Sequence, residues 1–355
     1  MPFSKLIIGV VLVVVVGGYL YYNSRQFKLP RGETTILETP KDQTITASPK
    51  TVSGQGGVGL ALDESERKIF VTDGTKHSVP LDEILSGGPP KDGIPSIDKP
   101  KFISPAEASE WLKDDEAGTG LCVGADCRFY PYLILVWHEI VNDTVADQPV
   151  LVTYCPLCLT GIVFERRLDN KAVGFGTSGK LWKSNLVMYN RAAVPRDESL
   201  WSQVLGEAIV GKLTGTRLKI VPSDVIKYGD WKKLHPDTKV LSKDTGIKRA
   251  YGYDPYGDYY TSNDVSFGAS FDDGRLHPKE FVLGVNINGK YKAYQTAALK
   301  VGETRDTFNG ETIVIDKKPE GEVRMFRGTD RRPLPYIGGF WFSWLNAHPG
   351  TELFK

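Results

Sequence analysis

The sequence predicts a mainly β protein with short capping helices, a β-rich α+β fold, behind an N-terminal transmembrane helix. Three observations point there. From about Gly118 to Pro222, short runs of β-branched and aromatic residues are divided by Gly, Asp or Asn, the punctuation of strands and turns. The 355 residues include 37 Gly, 22 Pro, 16 Tyr and 15 Phe, a mixture of turn formers and strand formers. Leu6 to Tyr22 is an unbroken run of apolar residues, glycines and tyrosines. With 41% hydrophobic and 25% charged residues the chain can bury a core, and a net charge of +1 gives no electrostatic basis for a nucleic-acid partner.

The apolar run is just long enough to span a bilayer, and "YYNSRQ" follows it in place of a small-residue cleavage site. Residues 1–23 are therefore read as a membrane anchor, with a cleaved signal segment as the alternative. Lys5 precedes the run while Arg25, Lys28 and Arg31 follow, a balance that by itself favours a cytoplasmic body. The cysteine pattern and the polar stretch that follows favour a body outside the cytoplasmic membrane, and that orientation is adopted. Residues 24–60 are Thr-rich and end in glycines, as in a stalk.

The body is placed at 61–330, with 331–355 as a tail packed on it. "RKIFVTDGTKHSVPLDEIL" reads as a strand, an Asp73-Gly74 turn and a segment leading into helix. "SPAEASEWLKDD" carries Ser104, Pro105 and Glu107 in the order of a capped helix start. "SDVIKYGDWKKLHP" is expected to be a second helix, capped by Ser223 and stopped by Pro236. Segments 118–155 and 280–316 echo one another. Tyr130 falls with Tyr294, Asp143-Thr144 with Asp306-Thr307, and Pro149 to Tyr154 with Glu311 to Ile315, which suggests two related β units packed as one body. The second unit lacks the cysteines and the histidine.

Four cysteines carry most of the chemistry. Cys122 and Cys127 flank "VGAD", a hairpin turn across which a disulfide could form; free buried thiols and part of a four-thiolate metal site remain open. Cys155 and Cys158, in "YCPLC", could bind one metal, cycle between dithiol and disulfide, or sit as inert core thiols. Turn and strand residues follow them rather than a helix, which weakens a thioredoxin-like reading. In "WHEIVNDT", a helix would place His138 with Asn142 and Glu139 with Asp143 on shared faces. Cys155, Cys158 and His138 would then make a Cys₂His set for one transition metal, zinc, copper or iron. Glu139 joins them as a candidate catalytic group. Glu139 or Asp143 would orient His138, with Asn142 and Tyr130 close behind. The competing reading has Asn142 and Asp143 in a turn and His138 in a buried hydrogen bond.

Other motifs are read down. "GFGTSG" at Gly174 to Gly179 matches a dinucleotide fingerprint, but no helix begins inside it, so no nucleotide is expected. His77, His235, His277 and His348 sit in polar or Pro-adjacent contexts and are read as surface or capping residues. Tyr253, Tyr256, Tyr259 and Tyr260 read as a rigid wall, and Trp201, Ser202 and Gln203 as pocket lining.

"DGIP" at Asp92 to Pro95, "WHEIVNDT", "TYCPLC", "GTSGKLWKSNLVMYNR" and "ESLWSQVLGEAIVGKL" together resemble a large prokaryotic family. Its members are usually exported or membrane-anchored and are catalogued only as a domain of unknown function. The resemblance spans roughly residues 85 to 320. The family's Tyr-Pro pair appears as Tyr130-Pro131 and its cysteine pair as Cys155 and Cys158. Cys122 and Cys127 look like additions to that pattern, which favours a hairpin disulfide for them. The resulting expectation is an exported, membrane-tethered protein with a metal-binding or dithiol redox centre, served by a small ligand or a redox partner. The alternative is a non-catalytic extracellular structural or ligand-binding module that self-assembles.

Overall fold

The computed structural model describes residues 29–36 and 68–355. Strands dominate and the helices are short, the longest α-helices among the described residues being Tyr228–Leu234 and Trp341–Ala347. One eight-stranded sheet runs from Thr34–Ile36 at one edge to Ile84–Ser86 at the other. Its centre is the hairpin Phe175–Trp182/Asn185–Asn190 and the adjoining strands Ser199–Ser202 and Glu207–Gly211. A second large sheet carries Ile140–Val145, Gln148–Cys155 and Thr160–Glu165, continuing through Ile337–Phe340 and Phe281–Ile287. Gln148–Cys155 is buried on both faces after its first residue, so it reads as a continuous apolar run rather than an alternation. Met188, Trp201, Leu151, Ile162 and Phe164 share one core cluster with Cys155 and Cys158.

One arrangement occurs twice. The hairpin Ala117–Val123/Asp126–Pro131 is flanked by antiparallel Asp224–Lys227 and parallel Lys239–Leu241, with helix Tyr228–Leu234 between those two flanking strands. The hairpin Phe281–Ile287/Lys290–Gln295 is flanked in the same way by Ile337–Phe340 and Glu352–Phe354, with helix Trp341–Ala347 between them. Trp231 donates its indole N–H to Thr238 Oγ1 at 2.9 Å, and Trp344 donates to Thr351 Oγ1 at the same 2.9 Å. Each tryptophan lies over a glycine of its hairpin, Gly120 or Gly284, where a Cβ would come within 2.4 or 2.3 Å of the ring. Tyr130 donates to Asp143 beside Arg128, and Tyr294 to Asp306 beside Lys292.

Several expectations change. The apolar run Leu6–Tyr22 lies outside the described residues, as does most of the stretch assigned as a stalk. Among the described residues no helix is long and apolar enough to cross a membrane. Thr34–Ile36, inside that stretch, pairs with Phe70–Thr72 as an edge strand. The helix over Pro105–Ala108 has the expected capping box from Ser104 and Glu107. Ser223 caps nothing: Asp224–Lys227 is a strand, and the helix begins at Tyr228 without a side-chain cap. The β-branched Val225 and Ile226 fill positions on a sheet edge that a helix would leave unpaired. "GFGTSG", apart from its first glycine, lies in strand Phe175–Trp182, whose register shifts between Thr177 and Lys180. His77 is buried; His348 is buried too, but caps helix Trp341–Ala347 as expected and stacks on Tyr291. Trp201, Ser202 and Gln203 are core, not pocket lining.

Candidate functional site: a buried dithiol with a neutral acid and a buried lysine

Cys155 ends its strand, Pro156–Cys158 forms one 3-10 turn, and Leu159 takes a left-handed conformation (φ 46°) before the next strand begins at Thr160. Pro156 sits at the start of the turn, where its missing N–H is not needed. The turn places both thiols in the core, 1% and 0% exposed, and both are reduced. They converge on one acceptor. Cys155 Sγ lies 3.6 Å and Cys158 Sγ 3.3 Å from the carbonyl oxygen of Ser184. Ser184 is the second residue of the Lys183-Ser184 hairpin turn, with φ values of 51° and 65°, the left-handed pair that a two-residue hairpin requires.

The surroundings of the two sulfurs differ. Burial and its thiol neighbour push the Cys155 thiol up. Burial also acts to raise Cys158, but the polar influence of Cys155, Ser343 and Asn185 and the charge of Lys279 outweigh it and lower the thiol below its ordinary value. Asn185 is held for this by the core: its Nδ2 donates to Gln203 Oε1 at 2.8 Å, and Gln203 in turn donates to Thr153 Oγ1 and the Thr160 carbonyl. Ser343 Oγ is buried and makes no hydrogen bond among the described residues.

Two titratable groups complete the centre. Glu139 is buried, takes φ 58°, and feels Cys155; loss of solvent pushes its carboxyl up to about 8. It is therefore a neutral acid at pH 7. Lys279 is 7% exposed, and its Nζ makes no hydrogen bond among the described residues. Its ammonium lies 3.2 Å from the Tyr259 ring centroid and 4.9 Å from that of Phe342. Burial lowers it to about 8 despite the opposing pull of Cys158, so it carries its charge at neutral pH.

The segment from Ser242 to His277 packs over this centre. Tyr259 donates to the Leu157 carbonyl at 2.9 Å, between the two cysteines, and the Ser184 amide donates to the Phe267 carbonyl at 3.0 Å. Tyr256, Tyr259 and Tyr260 pack on one another as a wall, whereas Tyr253 is 63% exposed. A cleft of about 710 Å³, lined by Arg217, Tyr336 and Trp344 among others, includes none of the groups around the thiols.

His138 does not join the thiols. It follows the short helix Tyr132–Leu135, and the chain enters strand Ile140–Val145 two residues later, so the shared helical faces expected for His138 with Asn142 and Glu139 with Asp143 do not exist. Its Nδ1 donates to the Pro95 carbonyl at 2.7 Å, which leaves Nε2 to accept from Tyr251 Oη at 2.5 Å. Burial lowers its basicity, consistent with the neutral tautomer those bonds define. Asn142 donates to Asp98 Oδ1 and the Phe175 carbonyl, while Asp143 holds Arg128 and Tyr130; neither orients His138. Asn142 and Asp143 are consecutive on a strand and point to opposite faces.

Cys122 and Cys127 are a cross-strand pair of the first hairpin and are joined in a disulfide, Cα atoms 4.1 Å apart. His235 lies against it, its Nδ1 3.7 Å from Cys122 Sγ and 3.5 Å from Cys127 Sγ. Among the described residues this is the one trio of His, Cys, Asp or Glu whose ligand atoms lie within 4.8 Å of one another. The Cys₂His set that could hold a single ion is thus Cys122, Cys127 and His235, not Cys155, Cys158 and His138.

Lys279, Ser343 and Asn185 were not singled out by the sequence. They come from three separate stretches of the chain, and only "KSNLVMYNR", which contains Asn185, stands out as a motif. Residues 91–331 match the model of a family described as protein of unknown function, DUF3179. No curated protein and no solved structure matches the chain.

Proposed function

The chain belongs to the DUF3179 family, and from that premise we propose that Cys155 and Cys158 form a dithiol–disulfide redox centre. The observation that carries this reading is the asymmetry of the pair: two buried thiols share one carbonyl, and their surroundings raise the Cys155 thiol while they lower that of Cys158. An inert core pair would have no use for a buried lysine without a hydrogen-bond partner. Cys158 is the nucleophile and Cys155 the resolving thiol.

The cycle balances as thiol–disulfide exchange with a partner disulfide. The Cys158 thiolate forms an S–S bond to one partner sulfur and expels the other as a thiolate, which takes a proton. Cys155 then loses its proton, attacks Cys158 Sγ and expels the partner's second thiolate, which is also protonated. The partner gains two electrons and two protons, and the pair becomes a disulfide. Glu139 exchanges the Cys155 proton, because an acid near 8 is present in both forms around neutrality. Lys279 keeps its charge beside Cys158 throughout. The partner reaches the sulfurs when the tyrosine-bearing segment lifts, breaking the Tyr259–Leu157 and Ser184–Phe267 hydrogen bonds. The reaction class is oxidoreductase.

An extracytoplasmic location, with the run Leu6–Tyr22 as the tether, accompanies this reading. The Cys122–Cys127 disulfide supports it, because such bonds persist in oxidising compartments. The test is trapping. With Cys155→Ser, a small activated disulfide should leave a stable mixed disulfide on Cys158, found by peptide mapping. With Cys158→Ser, little should accumulate on Cys155. Equal labelling of both, or none in either variant with the fold intact, overturns the assignment.

A further inference from the structure

We propose that the Cys122–Cys127 disulfide is the oxidised state of a switchable metal site, in which reduction releases two thiolates that bind one zinc ion together with His235. This inference does not depend on the redox role of Cys155 and Cys158.

The first support is the set of atoms. Both sulfurs face His235 Nδ1, at 3.7 and 3.5 Å, close enough for small movements to place three donors around one ion. The other ring nitrogen, Nε2, lies 3.9 Å from a carboxylate oxygen of Glu322. At that distance the carboxylate is a nearby charge and not a hydrogen-bond partner; a small rotation of the ring would bring the two into a hydrogen bond, the arrangement that fixes the tautomer with a free lone pair on the metal-facing nitrogen. Glu322 is itself fixed, buried and bridged to Lys318 and Arg324. The imidazole packs on Trp231 at a tilt, with ring centroids 4.0 Å apart. All three donor residues are partly exposed, so an ion and a reductant can both reach them.

The second support comes from the repeated unit. Gly120 under Trp231 corresponds to Gly284 under Trp344, so Cys122 and Cys127 correspond to Asn286 and Tyr291, which face one another across the second hairpin. There His348 stacks on Tyr291 at 3.8 Å, where His235 meets sulfur in the first unit. The second hairpin keeps its register with no cross-link at all. The disulfide is therefore not what this hairpin–helix arrangement needs in order to form, and the two sulfurs are free to serve a chemistry.

The switch balances as follows. A dithiol donor supplies two electrons and two protons to the Cys122–Cys127 bond and becomes a disulfide. Zinc then displaces the two thiol protons, neutral His235 gives its Nδ1 lone pair, and water takes the fourth position.

The full chain should be reduced anaerobically with a phosphine and titrated with Co²⁺, then with Zn²⁺ against a chromophoric chelator. The expected result is one ion per chain with sulfur-to-cobalt charge-transfer absorption, and none on the oxidised chain. The Cys155→Ser/Cys158→Ser double variant should bind equally well. Glu322→Gln should bind about 10- to 100-fold more weakly, and His235→Ala should lose the ion. Should His235→Ala not fold, Cys122→Ser takes its place. Absence of binding, loss of it only in the Cys155/Cys158 variant, unchanged affinity in His235→Ala, or unfolding of the chain on reduction would each overturn the proposal.

Discussion

Replacing Glu139 by Gln tests the electrostatics of the dithiol centre in a way that geometry alone does not. The carboxyl is buried beside Cys155 and raised from an ordinary 4.5 to about 8, with burial as the cause. In the unfolded chain it titrates normally, so the folded state holds its proton more tightly. The stability from burying the neutral acid is fully present below about pH 4.5 and is lost as pH rises through 8. A shift from 4.5 to about 8 corresponds to on the order of 5 kcal/mol in total, at ~1.4 kcal/mol per pH unit. Between pH 6 and 9 the part of that loss still to come is about 3 kcal/mol. Gln copies the shape of the protonated acid and does not titrate. Urea unfolding of both proteins under reductant should therefore show Glu139→Gln gaining about 3 kcal/mol on the wild type between pH 6 and pH 9. A difference that stays constant with pH, or moves in favour of the wild type, would refute the neutral-acid assignment.

Four further substitutions bear on the same account. Lys279→Met removes the cation near Cys158, so the thiolate absorbance of Cys158 should titrate about one pH unit higher; an unmoved midpoint would mean the lysine does not act on the sulfur. Tyr251→Phe removes the donor to His138 Nε2, which should cost about 1 kcal/mol and speed hydrogen exchange in the segment covering the thiols; unchanged exchange would show that the segment is held elsewhere. Gly120→Ala and Gly284→Ala each drive a methyl group against the indole of their own unit. Both should lose roughly 1–3 kcal/mol in denaturant melts, and a loss in only one would argue against equivalent packing.

How far the sequence could be read depended on how local each signal was. The capping box of Ser104 and Glu107 was legible because all of its partners lie within one turn. The cross-strand pair Cys122 and Cys127 was suggested by the short "VGAD" turn, which leaves the strands on either side few registers. The helical alternative for "WHEIVND" fails although a real helix, Tyr132–Leu135, ends only three residues before His138, and nothing nearby in the sequence announces the turn at Glu139. The same ambiguity hid that Asn142 and Asp143 face apart. His138 was right as a buried hydrogen-bonding residue and misplaced as a ligand: Pro95 and Tyr251, far away in sequence, take both of its nitrogens. His235 reads as a surface or capping residue and does cap helix Tyr228–Leu234, but its place beside the disulfide is not legible, because it rests on a hairpin more than a hundred positions upstream. Lys279 gave no signal, since an isolated lysine in sequence is a surface residue unless the fold buries it.

The most direct test is a redox titration of the Cys155–Cys158 pair in the full chain. The protein would be equilibrated in dithiol/disulfide buffers at several pH values, quenched with acid, alkylated after unfolding and mapped by mass spectrometry. The account predicts a single two-electron transition between dithiol and disulfide, its potential falling by about 59 mV per pH unit while two protons are released and less steeply once Cys158 ionises. A pair that remains dithiol across the whole range while the fold stays intact would contradict it.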